Sequence, residues 1–267
     1  MKNRKPATVN AKPFLSGSPT DENSFRQAIG FLGTLLLVAF MSFLVCSMTG
    51  VQSVFLRILI NTAIEALILL IFFSRGVQLG TDATARGEIL YQHVEKGLPA
   101  SQSEKKIPFH ILKGFMIGFL GSFLFFVLAL FLAFTARKQM TGPGTLPSWT
   151  EGYMHRSEIG GALVAYTNPS ALNFTDIIRI IVRMLIMPFV SMAGTENKDL
   201  LLTVERISPL LVLLPALSYG IGYLQGPSRR KLIHSEIVSN NRKRIIREKK
   251  ERRKKQGIAS KGPQQLN

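Results

Sequence analysis

Residues 29–48 read IGFLGTLLLVAFMSFLVCSM, twenty consecutive positions without a charge. About 20 apolar residues wound into a helix match the hydrocarbon thickness of a bilayer. The run is too long for the apolar core of a signal peptide and no A-x-A cleavage pattern follows it, so it predicts an uncleaved span. Further along, residues 54–73 form a second apolar block, interrupted by Arg57, Asn61 and Glu65. Residues 114–134 form a third, uncharged and rich in Phe and Leu, and residues 207–224 a shorter fourth carrying Pro209 and Pro215. Between the first two blocks, Met48-Thr49-Gly50-Val51-Gln52-Ser53 predicts a tight turn.

Hydrophobic residues make up 46% of the 267 positions, but they are gathered into blocks rather than mixed finely with polar ones as in a soluble α/β domain. Cys46 is the only cysteine, which excludes an intrachain disulfide. His93, His110, His155 and His234 have no zinc-site spacing, and no phosphate-binding, dinucleotide-binding or G-x-S-x-G motif occurs. No cofactor or metal is therefore expected, and the reading leans away from an enzyme.

A fifth apolar stretch, residues 177–193, contains Arg179, Arg183 and Pro188. The two arginines lie four apart on one helical face, so the segment is compatible with spanning, dipping in or lying flat at the interface. Charge decides between four and five spans, because Lys and Arg near span ends favour the cytoplasm. Lys2, Arg4, Lys5, Lys12 and Arg26 precede the first span, and Arg75, Arg86, Lys96, Lys105 and Lys106 lie between the second and third. The tail after residue 224 holds 14 of the 33 Lys and Arg. Four spans put all three basic regions on one side, whereas five would translocate the tail. Both termini are thus expected in the cytoplasm, with residues 135–206 outside and 177–193 interfacial or re-entrant.

Small residues mark packing faces. Gly114, Gly118 and Ser122 recur every four residues in span three, and Ser218, Gly222 and Gly226 do so in span four. Such spacing lets helix backbones approach closely, which predicts that spans three and four pack on each other, with a homodimer face as the alternative. Pro215 removes one backbone bond and predicts a kink.

Arg57, Asn61 and Glu65 follow at steps of four, with Ser53 one turn earlier. Each step turns about 40°, so the residues stay on one flank of the helix. A charge near mid-span costs at least a few kcal/mol, so Glu65 should face the bundle interior, either protonated or paired. Arg57 is near enough to the outer end to snorkel, and Asn61 is placed to bridge the two. The stripe reads either as polar glue fixing how span two packs or as a substrate or ion pathway. Arg179 and Arg183 are candidate partners for Glu65 if their segment dips inward.

Outside, Trp149 and Tyr153 are placed as interfacial anchors. Asn173-Phe174-Thr175 matches a glycosylation triplet, but it reads better as a helix cap, with Asp176 in the first turn. Inside, residues 83–96 predict a short amphipathic helix ended by Gly97 and Pro99. In the tail, Arg242, Lys243, Arg244, Arg247, Lys249, Lys250, Arg252, Arg253, Lys254 and Lys255 form a basic run following a weak apolar stripe of Leu232, Ile233, Ile237, Ile245 and Ile246. Such a run can hold topology, bind anionic lipid headgroups, bind an acidic membrane subunit, or bind nucleic acid or the ribosome through phosphates. No aromatic residue is present there to stack on bases, which weighs against nucleic acid.

The expected fold class is an all-α polytopic membrane bundle of four transmembrane spans, an interfacial or re-entrant helix and a basic cytoplasmic C-terminal helix. Residues 1–28 form a largely disordered cytoplasmic segment, and residues 29–134 hold three spans with a cytoplasmic loop at 74–113. Residues 135–206 are extracytoplasmic, residues 207–224 the fourth span and residues 225–267 the tail. The leading function class is a non-catalytic accessory or scaffolding component of the cell membrane whose tail engages anionic lipid or a partner. A small transporter or channel using the span-two stripe comes second, and a membrane-embedded enzyme or insertase-like factor third.

Overall fold

The computed structural model describes residues 12–48, 53–136, 147–160, 162–163, 174–194 and 197–259, with side chains as far as Arg252. Among them the regular elements are all helical. They are α1 (Glu22–Met48), α2 (Val54–Glu95), α3 (Gln102–Lys106), α4 (Lys113–Thr135), a 3-10 turn (Ser148–Tyr153), α5 (Phe174–Leu185), α6 (Met187–Ala193), α7 (Lys198–Leu224) and α8 (Gly226–Ala259). Four of these, α1, α2, α4 and α7, are long and apolar enough to cross a membrane.

The helices outrun the apolar blocks that predict them. Helix α1 starts seven residues early because Asp21 and Ser24 cap it reciprocally. The Ser24 N–H donates to Asp21 Oδ1 (2.7 Å) and the Asp21 N–H to Ser24 Oγ (3.1 Å). Helix α2 runs unbroken for 42 residues, about 63 Å and so about twice the hydrocarbon thickness. The separate helix expected over 83–96 is its distal third. Gly76 and Gly80, which read as loop residues, stay helical because α7 lies directly on them. A Cβ on Gly76 would strike the Tyr219 carbonyl, and one on Gly80 the Tyr223 carbonyl. The end of α2 falls where expected, at Gly97, whose φ of +73° suits glycine.

The 177–193 stretch is two helices rather than one. Helices α5 and α6 are 12 and 7 residues long, about 18 and 10 Å, and break at Ile186. Neither is long enough to span. Ile178 and Val182 of α5 are buried in the main core. Asp176 sits in the first turn of α5 as expected, whereas Asn173 lies outside the described residues.

Helix α7 is the centre of the bundle, packed most extensively against α4 and α2. The small face of span three meets it, with Gly114 under the Tyr223 ring and Gly118 against Ala216. The Ser218, Gly222 and Gly226 face does not pack on span three. It meets α2: Ser218 Oγ donates to the Leu69 carbonyl (2.7 Å), Gly222 abuts the Phe73 carbonyl and Gly226 abuts Gly80. Both small faces are therefore occupied within one chain. Phe31 of α1, Phe72 of α2 and Tyr219 of α7 join the three helices, with ring centroids 4.9 Å (Phe31–Phe72) and 5.3 Å (Phe31–Tyr219) apart. Aromatic pairs of this kind add about 0.5–1.5 kcal/mol beyond their buried area.

At one end of the bundle the N-terminal segment, distal α2, the start of α4 and the start of α8 come together. Residues 12–20, within the stretch expected to be largely disordered, run along this end. The Leu15 N–H donates to the Gly87 carbonyl (3.3 Å) and the Gly17 N–H to the Phe109 carbonyl (3.0 Å). Lys113 fastens it: its buried Nζ lies 2.8 Å from Asp21 Oδ2 and donates to the Ile107 carbonyl (2.7 Å). Burial alone would raise the Asp21 pKa. Hydrogen bonds from Lys113 and Ser24 and the Lys113 charge outweigh it and hold the carboxyl below the usual range.

Candidate functional site

The three polar residues of span two do three different things. Asn61 is buried and stitches three helices: it accepts from Cys46 Sγ of α1 (3.2 Å), and its Nδ2 donates to the Arg57 carbonyl (2.8 Å) and to Ser191 Oγ of α6 (3.1 Å). It therefore bonds the Arg57 backbone and does not bridge to Glu65. The Arg57 guanidinium, half-buried, lies over Gly194 at the C-terminal end of α6, where helix dipoles favour a cation. Its buried Nε makes no hydrogen bond among the described residues.

Glu65 makes no hydrogen bond or ion pair among the described residues. It lines a cavity of about 20 Å3, room for about one water, together with Leu35, Ile186, Phe189, Leu211 and Pro215. The break between α5 and α6 forms one wall. Pro215 has no N–H to give the Leu211 carbonyl, so the helix lacks one bond where it faces this cavity.

Arg179 and Arg183 are not partners of Glu65. Both converge on Glu205 of α7, which is 1% exposed. Arg183 Nε donates to Glu205 Oε1 (2.8 Å), Arg179 Nε lies 3.1 Å from the same oxygen, and Arg179 Nη1 lies 3.3 Å from Asp176 Oδ1. The four-residue spacing that puts both arginines on one face of α5 was legible; their partner was not. Glu205 lies just ahead of the fourth apolar block, and only the extension of α7 back to Lys198, capped by Asn197, makes it helical and buried. This cluster locks the broken helix pair to the central helix.

The basic tail is a helix that continues α7 after a turn at Gln225. Its base is clamped to α2: Arg230 Nε lies 3.1 Å from Glu88 Oε2, and His234 Nε2 lies 3.0 Å from both Glu88 oxygens. Glu88 is nearly buried and was not singled out in the sequence. From Glu236 to Arg252 every residue is exposed. Ile237, Ile245 and Ile246, the distal part of the expected apolar stripe, are exposed. The side chains of Arg253, Lys254 and Lys255 lie outside the described residues.

Trp149 and Tyr153 fall on the 3-10 turn with rings edge to face at 6.2 Å, and Trp149 is largely exposed. Comparison with protein families, with curated proteins and with solved structures finds no match to this chain.

Proposed function

We propose that this chain is a non-catalytic accessory or scaffolding component of a cell membrane, with both termini cytoplasmic, that presents α8 as a basic arm to anionic lipid headgroups. The observation that carries the reading is the exposure of α8 on all sides beyond its Glu88 clamp. Arg242, Lys243, Arg244, Arg247, Lys249, Lys250 and Arg252 fall at angles all around the helix axis. A helix lying in the interface would keep one apolar face, whereas this one offers charge in every direction. Each basic residue near an anionic surface contributes about 1 kcal/mol. In the same reading, α5 and α6 form a re-entrant pair on the extracytoplasmic side, held by Glu205.

The test uses the full chain in neutral nanodiscs and measures capture of anionic and neutral vesicles as salt rises. Capture of anionic vesicles alone, lost in salt and lost when those seven residues become Gln, is the expected result. Equal capture of neutral vesicles, or capture unaffected by the replacements, would refute it. Salt-sensitive capture of RNA or of an acidic membrane subunit in preference to vesicles would move the arm to that partner.

Glu65, unpaired among the described residues and facing a cavity, supports a second reading, a small transporter or channel. In that case Glu65→Gln abolishes flux in proteoliposomes while the protein's melting stays unchanged.

A further inference from the structure

Helices α1 and α2 touch only sparingly, and where they part they leave a groove of about 330 Å3 that continues into a recess of about 40 Å3. The two share Gln27, Leu79 and Asp82. The groove sits at a chemical boundary. Arg75 is the first charge after the uncharged run 66–74 of α2, and Arg26 is the last before the uncharged run 27–48 of α1. In a bilayer, that boundary is the level of the headgroups.

The rings of Phe31, Phe72 and Tyr219 give the groove an apolar wall. Arg75 reaches across it, its Nη1 donating to Thr34 Oγ1. Seven residues further out, about 10 Å along α2, is Asp82, which is exposed and makes no ion pair among the described residues. Gln27 faces them from α1, and its Oε1 is buried without a hydrogen-bond donor among the described residues. Buried acceptors rarely stay unpaired. Above Gly30 the groove is open, with nothing within 4 Å of where a Cβ would stand.

We propose that this groove binds the headgroup of an aminophospholipid, with the phosphate at Arg75 and the ammonium between Asp82 and Gln27 Oε1. The lining offers such a lipid an apolar wall for its chains, a guanidinium for its phosphate and, about 10 Å along α2 from Arg75, a carboxylate for its ammonium. A choline head cannot donate hydrogen bonds to Asp82 and Gln27, and a glycerol head brings no cation to Asp82. Arginine suits the phosphate because its planar donors match the oxygens. The inference rests on α1 and α2 lying in a bilayer. It does not depend on which side faces the cytoplasm or on what the arm binds.

The test is native mass spectrometry of the delipidated full-length protein, titrated with phosphatidylethanolamine, phosphatidylcholine or phosphatidylglycerol of matched acyl chains. Phosphatidylethanolamine should bind about tenfold tighter than the other two, the scale of one charge-assisted hydrogen bond. Asp82→Asn should erase that preference without changing melting, since Asp82 makes no ion pair among the described residues that the change would break. Gly30→Trp should occlude the groove, and Gly30→Ala should bind as the native protein does. Equal retention of the ethanolamine and choline lipids would overturn the proposal, and so would an unaltered preference in Asp82→Asn. Free phosphoethanolamine competing as well as the whole lipid would overturn the lipid as the ligand.

Discussion

At the scale of single residues, buried charges are settled by their neighbours. Glu205 holds two arginines, so Glu205→Gln removes the buried carboxylate that Arg183 and Arg179 share, with Asp176 still beside Arg179. Stranding one partner of a buried pair costs about 3–5 kcal/mol, and the quarter exposure of Arg183 points to the lower end. A fall in the melting midpoint of the reconstituted protein should follow, with Glu65→Gln as the quiet control because Glu65 has no pair to lose among the described residues. Adding Arg183→Gln to Glu65→Gln should bring no rescue; rescue would show that the two residues do pair. Asp21 gives a pH-dependent counterpart. Its folded pKa lies below its unfolded one, so the stability it contributes is complete above the unfolded value of about 3.9 and is lost as pH falls through the folded value. Hydrogen exchange at the Leu15 and Gly17 amides should be flat from neutral pH down to about 5 once corrected for intrinsic rates, then accelerate below about 4. Asp21→Asn should flatten that acid limb. An unchanged limb in Asp21→Asn would assign it to another carboxyl.

At the scale of elements, close backbone approach decides which helices meet. Gly222 abuts a backbone carbonyl of α2, which cannot move aside as a side-chain tip could. Gly222→Leu should therefore destabilise by about 1–3 kcal/mol, as overpacking does, and should weaken the Ser218–Leu69 bond one turn away. Gly33, with nothing within 4 Å, should accept Ala without loss. Comparing the two melting midpoints checks this, and equal behaviour would mean that α2 and α7 are not in contact. The small residues of spans three and four were legible as packing faces from their spacing alone. The span-three face meets span four as expected, but the span-four face turns to α2, because spacing shows that a face is small and not what lies against it. Gly76 and Gly80 were missed for a related reason: in a polar stretch glycine reads as loop, and only the helix pressed against it keeps it helical.

At the scale of the whole molecule, the structure gathers the N-terminal segment, distal α2 and the root of the basic arm at one end. A single cysteine at Ser148 should be labelled from outside in intact cells, and one at Ser260 should not. The background should be Cys46→Ser, since Ser keeps a donor for Asn61 Oδ1 and Ala would not. Labelling at position 260 from outside would reverse the topology. The sequence by itself determined what depends on composition along the chain: four helices able to cross a membrane, the end of α2 at Gly97, the common face of Arg179 and Arg183, and a basic tail. Those follow from water and lipid acting on each segment in turn. The tertiary structure alone decided which charge meets which. Glu205 became the partner of both arginines, Glu88 the anchor of the arm, and Glu65 was left facing a cavity. Residues 22 and 130 positions apart meet there, as Arg183 meets Glu205 and Asn61 meets Ser191. No local pattern carries such pairings, because they arise only when the packing of backbones brings the side chains within a few ångströms.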